Sequence, residues 1–315
     1  MRNLFCGDAF PAARPRLARR LRQNEDELVV CPRDDIGAAL EGVDMVIPFM
    51  CRIDSALMDI GRFRLVQQWG AGLEGIDLIA AKQRGIWVAN VPATGNNADS
   101  VAELAVFLTI ALLRNWPAAQ ASVRAGGLGA PMGRMLAGRT ICLYGLGAIA
   151  RGLAQRLRAF HVRLVGVTRD PSAAKVAEFG LDACYSIAER DACFAQTDVL
   201  ILCSRLAPET HGVINTAALR ALRPGACLVN AARGGLVDYD ALYSALSSGH
   251  LAGAGLDVYW NEPIAPDDPL LALPNVIATP HIAGVTDRSY DEIAEAVWIN
   301  IERLRRGEAP LNGVV

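Results

Sequence analysis

Residues 140–160 read TICLYGLGAIARGLAQRLRAF, and this stretch decides the fold class. An apolar run typical of a buried strand is followed by a glycine-rich turn and then by apolar residues at helical spacing. The turn has the pattern G-x-G-x-x-A, in which the first Gly allows a tight turn, the second admits a phosphate, and the third small residue lets helix and strand pack. We expect a dinucleotide pyrophosphate at the helix N-terminus, and a simple turn is the alternative. The expected contacts are Gly145, Leu146, Gly147, Ala148 and Ile149.

The end of the following strand, VRLVGV, bears on which dinucleotide is bound. An acidic residue that would bind the ribose hydroxyls is missing there, and Thr168 is followed by Arg169. Because a guanidinium binds phosphate through two parallel hydrogen bonds, we expect NADP(H) to be preferred over NAD(H). The alternative is a solvated Arg169 and a site that accepts NAD.

Strands and helices alternate on both sides of this unit, which predicts an α/β fold with parallel sheets. The later strands are VRLVGV, DVLILC, ACLVNA and AGAGLDV. The earlier candidate strands are 27–30, 43–48, 65–69 and 87–89, and the earlier candidate helices are 55–60 and 77–84. A long apolar helix at 97–114, a Gly/Pro-rich loop at 125–134 and an amphipathic helix at 286–306 complete the pattern.

Length and composition restrict the class of protein. A chain of 315 residues usually forms more than one domain, and 52% apolar with 20% charged residues can fill sizeable cores. A net charge of −2 argues against nucleic acid or a membrane surface as partner. Eight scattered cysteines and four histidines predict buried thiols in a reducing compartment and no metal site. The start lacks a signal-peptide pattern, and the apolar run 105–113 is shorter than a bilayer span, so we expect a cytoplasmic protein.

Three polar residues follow predicted strands of the second half. Arg233 lies in VNAARGGLVD, Glu262 in GLDVYWNEP and His281 in ATPHIAG. All three are expected at the carboxyl edge of the sheet, where α/β proteins bind ligands. An Arg can bind a substrate carboxylate, a His can exchange a proton during carbonyl reduction, and a Glu can orient the imidazole. Each residue alone could be structural or solvated, but their order behind a dinucleotide turn favours catalysis.

At this point the chain resembles the D-isomer-specific 2-hydroxyacid dehydrogenases, which include glyoxylate/hydroxypyruvate reductases. The resemblance covers most of the sequence, and the order of its motifs is specific. The motifs are QWGAGLEGID (68–77), ADSVAELAV (98–106), GLGAIA (145–150), APETHGVI (207–214), NAARGGLVDYDAL (230–242), GAGLDVYWNEP (253–263) and TPHIAG (279–284).

The resemblance implies roles for individual residues. Arg233 would bind the substrate carboxylate, His281 would be the general acid/base and Glu262 its partner. Asp257 would hold the nicotinamide carboxamide, and the backbone of Ala71 and Gly72 would bind the substrate carboxylate from the other domain. The further cofactor contacts would be Cys203, Arg205, Ala231 and Gly284.

The resemblance also implies two Rossmann-like or flavodoxin-like domains. Residues 1–97 and 286–315 would form the substrate domain, and the cofactor domain, 98–285, would be inserted into it. The expected assembly is a homodimer built on the cofactor domain. Because the chain ends soon after its last helix, we expect no regulatory domain.

Departures from the family pattern refine these expectations. Cys203-Ser204-Arg205-Leu206 stands where the family often has a proline, so Arg205 could help Arg169 to bind a 2′-phosphate or could be solvated. The formate dehydrogenase branch has a Gln–His pair, so Glu262 argues against that activity.

The activity expected from these residues is reduction of a small 2-keto acid such as glyoxylate or hydroxypyruvate. Substrate size would be read by the loop 49–52, in which Arg52 could bind a second charge or be solvated. Two alternatives stay open: a phosphite-type oxyanion dehydrogenase, and a non-catalytic dinucleotide-dependent binding protein of the corepressor type. The physiological substrate and the direction of the reaction do not follow from the sequence.

Overall fold

The computed structural model describes residues 1–7, 9–24 and 26–315, without the side chain of Gln23. Within these residues the chain forms two compact units. The first unit comprises Met1–Asn97 and Val285–Val315, and the second comprises Ala98–Gly284. One boundary coincides with the expected position, and the other lies one residue earlier. The second unit is thus inserted into the chain of the first.

The first unit is built on a five-stranded parallel sheet. Its strands are β1 (Arg2–Cys6), β2 (Glu27–Cys31), β3 (Met45–Pro48), β4 (Leu65–Gln67) and β5 (Trp87–Ala89). Its helices are α1 (Ala13–Leu21), α2 (Ile36–Ala39), α3 (Ser55–Ile60) and α4 (Leu78–Gln83), together with the start of α5 (Gly95–Leu113) and all of the last helix (Asp287–Arg305). The strand order β2-β1-β3-β4-β5 is the flavodoxin-like order.

The second unit is built on a seven-stranded parallel sheet. Its strands are β6 (Thr140–Tyr144), β7 (Arg163–Thr168), β8 (Ala183–Ser186), β9 (Val199–Leu202), β10 (Ala226–Asn230), β11 (Leu251–Leu256) and β12 (Val276–Ala278). Its remaining helices are α6 (Trp116–Arg124), α7 (Ala148–Leu157), α8 (Ala173–Phe179), α9 (Arg190–Phe194), α10 (Thr216–Ala221) and α11 (Tyr239–Ser247), which leaves α12 for Asp287–Arg305. The order β12-β11-β10-β9-β6-β7-β8 is doubly wound, so the predicted fold class is confirmed.

Several elements were not predicted from the sequence. Strand β8 is a half-buried edge strand, and α6 has no buried residue. Helix α1 is rich in arginine, and its apolar face packs against α12. For β8 and α6, contacts with the rest of the unit, rather than periodicity, select the conformation. In α1 the buried residues Ala13, Leu17 and Leu21 do follow helical spacing.

Helix α5 has 19 residues and is apolar enough, by length and composition, to cross a membrane. This helix is longer than the run 105–113 on which the expectation of no span rested. The share of its most apolar window that is buried inside the structure is 56%, which is a property of core helices as well. Leu108 and Leu112 pack closely over Gly255 and Gly253 of β11, where an added Cβ would lie 3.0 Å from a leucine atom in each case. These glycines let the helix lie close against the sheet.

In both sheets, a loop with predicted site residues follows a strand beside the point where the strand order reverses. In the second unit this point lies between β6 and β9, and in the first unit it lies between β1 and β3. Loops at the carboxyl ends of such strands leave a crevice in which α/β proteins bind ligands. The glycine-rich turn follows β6, and the loop with Arg52 follows β3.

Candidate active site

The glycine-rich turn after β6 has the backbone that its sequence predicts. Gly145 has φ +97°, which favours glycine, and an added Cβ would lie 2.4 Å from the Oγ atom of Ser204. The N–H of Cys203 donates to the carbonyl of Tyr144 at 2.8 Å, which brings the end of β9 beside the turn. Leu146 turns inward, because its side chain lies 3.0 Å from the Cβ position of Gly166.

The start of α7 fits a pyrophosphate. Gly147 precedes the first residue of this ten-residue helix, and no side chain caps the helix. An added Cβ on Gly147 would have no atom within 4 Å, so the approach to the helix N–H groups is open. Ala150 is fully buried against the sheet, as expected of the third small residue of the turn. The residues present therefore fit a bound dinucleotide.

The end of β7 carries hydroxyl and basic groups. Thr168 is half-buried, Arg169 is exposed, and the Nζ atom of Lys175 donates to the Thr168 hydroxyl at 3.3 Å. Lys175 was not singled out from the sequence, because seven residues separate it from Thr168 and the first turn of α8 brings it back. Arg205 is exposed and follows β9, which is separated from β7 by β6.

Glu262 and His281 form a close pair at the ends of β11 and β12. The Oε2 atom of Glu262 lies 2.6 Å from the Nδ1 atom of His281, and the other carboxylate oxygen accepts a hydrogen bond of 2.9 Å from the N–H of Tyr259. Burial by itself raises the pKa of the Glu262 carboxyl. The hydrogen bond and charge of His281, the Tyr259 N–H and the charge of Arg233 outweigh burial, so this pKa lies below its ordinary value. The carboxylate is therefore the stable form beside the imidazole.

Arg233 stands at the end of β10 in a turn that Asn230 holds. The buried amide of Asn230 accepts from the N–H of Ala232 at 3.1 Å and donates to the carbonyl of Arg233 at 2.8 Å. The guanidinium donates to the carbonyl of Ala232 at 2.7 Å, and its positive charge lowers the pKa of Glu262. The structure therefore brings the predicted trio together at the carboxyl ends of three neighbouring strands.

The comparisons with known proteins agree with this geometry. Residues 106–283 match the family model described as D-isomer specific 2-hydroxyacid dehydrogenase, NAD binding domain. The chain belongs to the D-isomer-specific 2-hydroxyacid dehydrogenase family.

Individual relatives extend the likeness to both units. A glyoxylate reductase of Korarchaeum cryptofilum is 35% identical over 260 residues, which cover 80% of this chain and 76% of that protein. A D-3-phosphoglycerate dehydrogenase of Archaeoglobus fulgidus is 33% identical over 273 residues, which cover 86% of this chain but 51% of that protein. The chain thus spans about half the length of several curated relatives that it matches. The crystal structure of the TT0316 protein from Thermus thermophilus superimposes with a TM-score of 0.87, 34% identity and full coverage of both chains.

Asp257, for which family resemblance implies a nicotinamide contact, has a different observed set of partners. It is fully buried, and it accepts from the Thr279 hydroxyl at 2.6 Å and from the N–H groups of Ile282 and Ala283 at 2.8 Å each. Burial raises its pKa although these hydrogen bonds act in the opposite direction. In the structure Asp257 therefore holds the turn that carries His281, and the carboxamide contact stays a prediction.

Two of the other predicted cofactor contacts, Ala231 and Gly284, lie at the same turn. Ala231 is buried and packs with Val101 and Ala283, and Gly284 is the residue that follows Ala283. Cys203 is half-buried, and burial raises the pKa of its thiol to about 12. All eight cysteines are free thiols, and six of them are buried, in agreement with the expectation of buried thiols.

The substrate contacts predicted in the first unit follow its own strands. Ala71 and Gly72 are half-buried in the turn after β4, and the Asn90 amide donates to the carbonyl of Ala71 at 2.8 Å. Gly70, with φ +111°, starts this turn. Arg52 is exposed after β3. The turn at 70–72 is thus held by its carbonyl groups, which leaves the N–H groups of Ala71 and Gly72 as the predicted anion contacts.

Proposed function

We propose that this protein is an NADP(H)-preferring dehydrogenase that interconverts a small 2-keto acid, such as glyoxylate or hydroxypyruvate, and its 2-hydroxy acid. The observation that carries the proposal is the Glu262–His281 pair, at 2.6 Å, beside the charge of Arg233 and in the same unit as the dinucleotide turn. The family membership and the 35% identical glyoxylate reductase support it. A substrate with one carboxylate and one carbonyl matches one cation and one proton donor.

Each residue of the trio has a distinct task in this reaction. When bound, the nicotinamide supplies the hydride in reduction and accepts it in oxidation. Arg233 binds the substrate carboxylate and polarises the carbonyl. His281 is engaged at Nδ1 by Glu262, so the proton is exchanged at Nε2. The Glu262 carboxylate fixes the orientation of the ring, and the imidazolium donates its proton to the carbonyl oxygen.

The preference for NADP(H) is supported by the basic groups at the end of β7. A 2′-phosphate beside Thr168 would meet the guanidinium of Arg169 and the ammonium group of Lys175, which already donates to the Thr168 hydroxyl. A bare ribose diol would gain neither charged contact. Lys175 therefore joins Thr168 and Arg169 in the proposal, whereas Arg205 follows a more distant strand.

A homodimer is proposed from an exposed apolar surface of the second unit. A groove of about 460 Å³ is lined by residues that include Phe107, Trp116 and Pro131. Phe107 and Trp116 are about half exposed, and Met132 is almost fully exposed. A second copy would cover such side chains. Light scattering should give the mass of a dimer, and Phe107→Glu should shift it towards a monomer, since a buried carboxylate opposes association; a wild-type monomer would contradict the proposal.

Initial rates test the proposed function. The absorbance of NADPH and of NADH is followed separately with glyoxylate, hydroxypyruvate, pyruvate and a bulkier aromatic 2-keto acid. We expect turnover of the small acids, faster with NADPH, and the order of the acids reports the size of the pocket.

Each other outcome has a definite meaning. Faster turnover with NADH would contradict the assignment of Thr168, Arg169 and Lys175 and leave the trio in place. Tight NADPH binding without turnover of any acid would contradict the proposed 2-hydroxyacid dehydrogenase activity. Phosphite-dependent reduction of NADP would then identify an oxyanion dehydrogenase.

A further inference from the structure

Tyr259 donates hydrogen bonds to Glu262 and to the turn that carries His281. Its backbone N–H donates to the Oε1 atom of Glu262 at 2.9 Å, which leaves Oε2 directed at His281. Its hydroxyl donates to the carbonyl of Thr279 at 2.9 Å. The backbone N–H of His281 donates to this same carbonyl at 3.0 Å. Tyr259 thus binds the Glu262 carboxylate directly, and it shares the Thr279 carbonyl with His281 as a hydrogen-bond acceptor.

The backbone of His281 needs such support. His281 has φ +55°, a left-handed conformation that an L-residue other than glycine adopts only at a cost in free energy. The tertiary contacts of the surrounding turn must offset that free-energy cost. Two sets of contacts do so: Asp257 accepts hydrogen bonds from Thr279, Ile282 and Ala283, and the Tyr259 hydroxyl donates to the carbonyl of Thr279.

Tyr259 also lies against the turn that carries Arg233. A Cβ added to Gly234 would lie 2.1 Å from the carbonyl carbon of Tyr259 and 2.7 Å from the nitrogen of Trp260. Only glycine allows the two backbones to approach this closely. The position of the Tyr259 backbone therefore sets where the chain next to Arg233 can lie.

The hydroxyl of Tyr259 keeps its proton at every pH at which the protein would work. The side chain is buried, and burial, together with the charges of Asp257 and Glu262, raises its pKa to about 12. A hydroxyl that stays protonated is a constant hydrogen-bond donor, which suits a group that fixes the positions of its neighbours rather than one that transfers protons.

We propose that Tyr259 is the positioning residue of the trio, which holds Glu262 through its amide and the His281 turn through its hydroxyl. This inference rests on the function proposed above. The hydroxyl donates to the backbone carbonyl groups of Thr279 and Leu256, so its loss should alter where the proton is delivered and not how substrate or cofactor is bound. A misplacement of about 1 Å at a reacting group can lower a rate by roughly a hundredfold.

The test compares Tyr259→Phe with Tyr239→Phe. Phenylalanine keeps the ring that fills the buried space, so both variants should fold, and thermal unfolding checks this. Tyr239 is a matched control, because its hydroxyl donates to Asp268 at 2.7 Å and its ring packs edge-on against Trp260, next to Tyr259. The measurements are kcat and KM with the best 2-keto acid, the Kd for NADPH by fluorescence, and the NMR signals of the His281 ring.

We expect Tyr259→Phe to lower kcat by roughly ten- to a hundredfold, with KM and the NADPH Kd within about twofold and the His281 signals displaced. Tyr239→Phe should leave all four unchanged. An unchanged kcat in Tyr259→Phe, or equal losses in both variants, would overturn the inference. Inactive wild-type protein would overturn the proposed function instead, and the displacement of the His281 signals in Tyr259→Phe alone would still decide the positioning role.

Discussion

The two ends of the proposed cofactor site differ in how firmly their side chains are held. At the catalytic end, Glu262 and His281 are joined at 2.6 Å. Glu262 also accepts a hydrogen bond from the N–H of Tyr259, and Asp257 accepts one from the N–H of Ile282, the residue after His281. At the ribose end, Arg169 is exposed and Lys175 makes one contact of 3.3 Å with Thr168.

This difference follows from what each end has to do. Proton transfer depends steeply on distance and angle, so it needs side chains whose positions are fixed before the substrate arrives. Recognition of a 2′-phosphate is a charge interaction that tolerates mobile side chains, because exposed cations can adjust to the anion. Substitutions at the catalytic end should therefore change kcat, and substitutions at the ribose end should change cofactor affinity.

The largest effect is expected from His281→Asn. Asparagine tolerates the left-handed backbone of this position better than alanine, so the variant isolates the loss of the imidazole. Turnover should fall by about 10²- to 10⁴-fold, while the NADPH Kd stays nearly the same. His161→Asn is the matched control, since His161 has the same φ of +55° in an exposed turn and should keep full activity. Wild-type kcat in His281→Asn would remove the acid/base assignment.

The next effect is expected from Arg233→Ala. The loss of the guanidinium should raise KM and lower kcat together, by about 10²- to 10³-fold in kcat/KM, because the carboxylate contact also positions the carbonyl. Arg233→Lys keeps the charge but loses the two parallel hydrogen bonds, so its kcat/KM should lie between the values of the wild type and of Arg233→Ala. Steady-state kinetics with glyoxylate measure this, and an unchanged kcat/KM in Arg233→Ala would be incompatible with the role.

A smaller effect is expected from Glu262→Gln, which keeps the shape of the side chain and removes its charge. We expect kcat to fall by about tenfold or more, since the protonated imidazole loses its anion. The lowered pKa of Glu262 also predicts a pH-dependent contribution to the free energy of unfolding. This contribution is fully present above the unfolded-state pKa, near 4.5, and is lost as the pH falls through the lower folded-state value.

Urea unfolding at pH 7 and at pH 3 checks the stability part of this prediction. The wild type should be more stable than Glu262→Gln at pH 7, and the difference should shrink at pH 3. A difference that is the same at both pH values would show that the charge of Glu262 does not stabilise the fold.

The smallest effect is expected at the ribose end, from Lys175→Gln. The variant should bind NADPH about tenfold more weakly and NADH within twofold of the wild type, because one charged contact with the 2′-phosphate is lost. The chain contains one other lysine, Lys82, and Lys82→Gln in α4 should leave both Kd values unchanged. Equal losses for NADPH and NADH in Lys175→Gln would contradict a phosphate contact and favour a purely structural role.

The sequence by itself indicated the alternation of strands and helices, the dinucleotide turn and the three residues of the trio, although it did not predict α1, α6 and β8. These features depend on local rules: alternation of apolar runs, glycine where φ is positive, and polar residues directly after strands that end at one sheet edge. Helix α3 lies at the predicted residues 55–60. Gly145 has a positive φ, as the tight turn predicted from the glycine-rich pattern requires.

The tertiary structure decided which side chains support the trio. Tyr259 and Thr279 are 20 residues apart, and Asp257 and Ala283 are 26 residues apart. No local sequence pattern therefore predicts these hydrogen bonds. The family resemblance implies a cofactor contact for Asp257, and the parallel pairing of β11 with β12 also brings its carboxylate against the His281 turn. The register between β11 and β12 decides which residues after these strands meet, and it depends on the whole sheet. For that reason only the folded chain shows which side chains hold the turn of His281 in place.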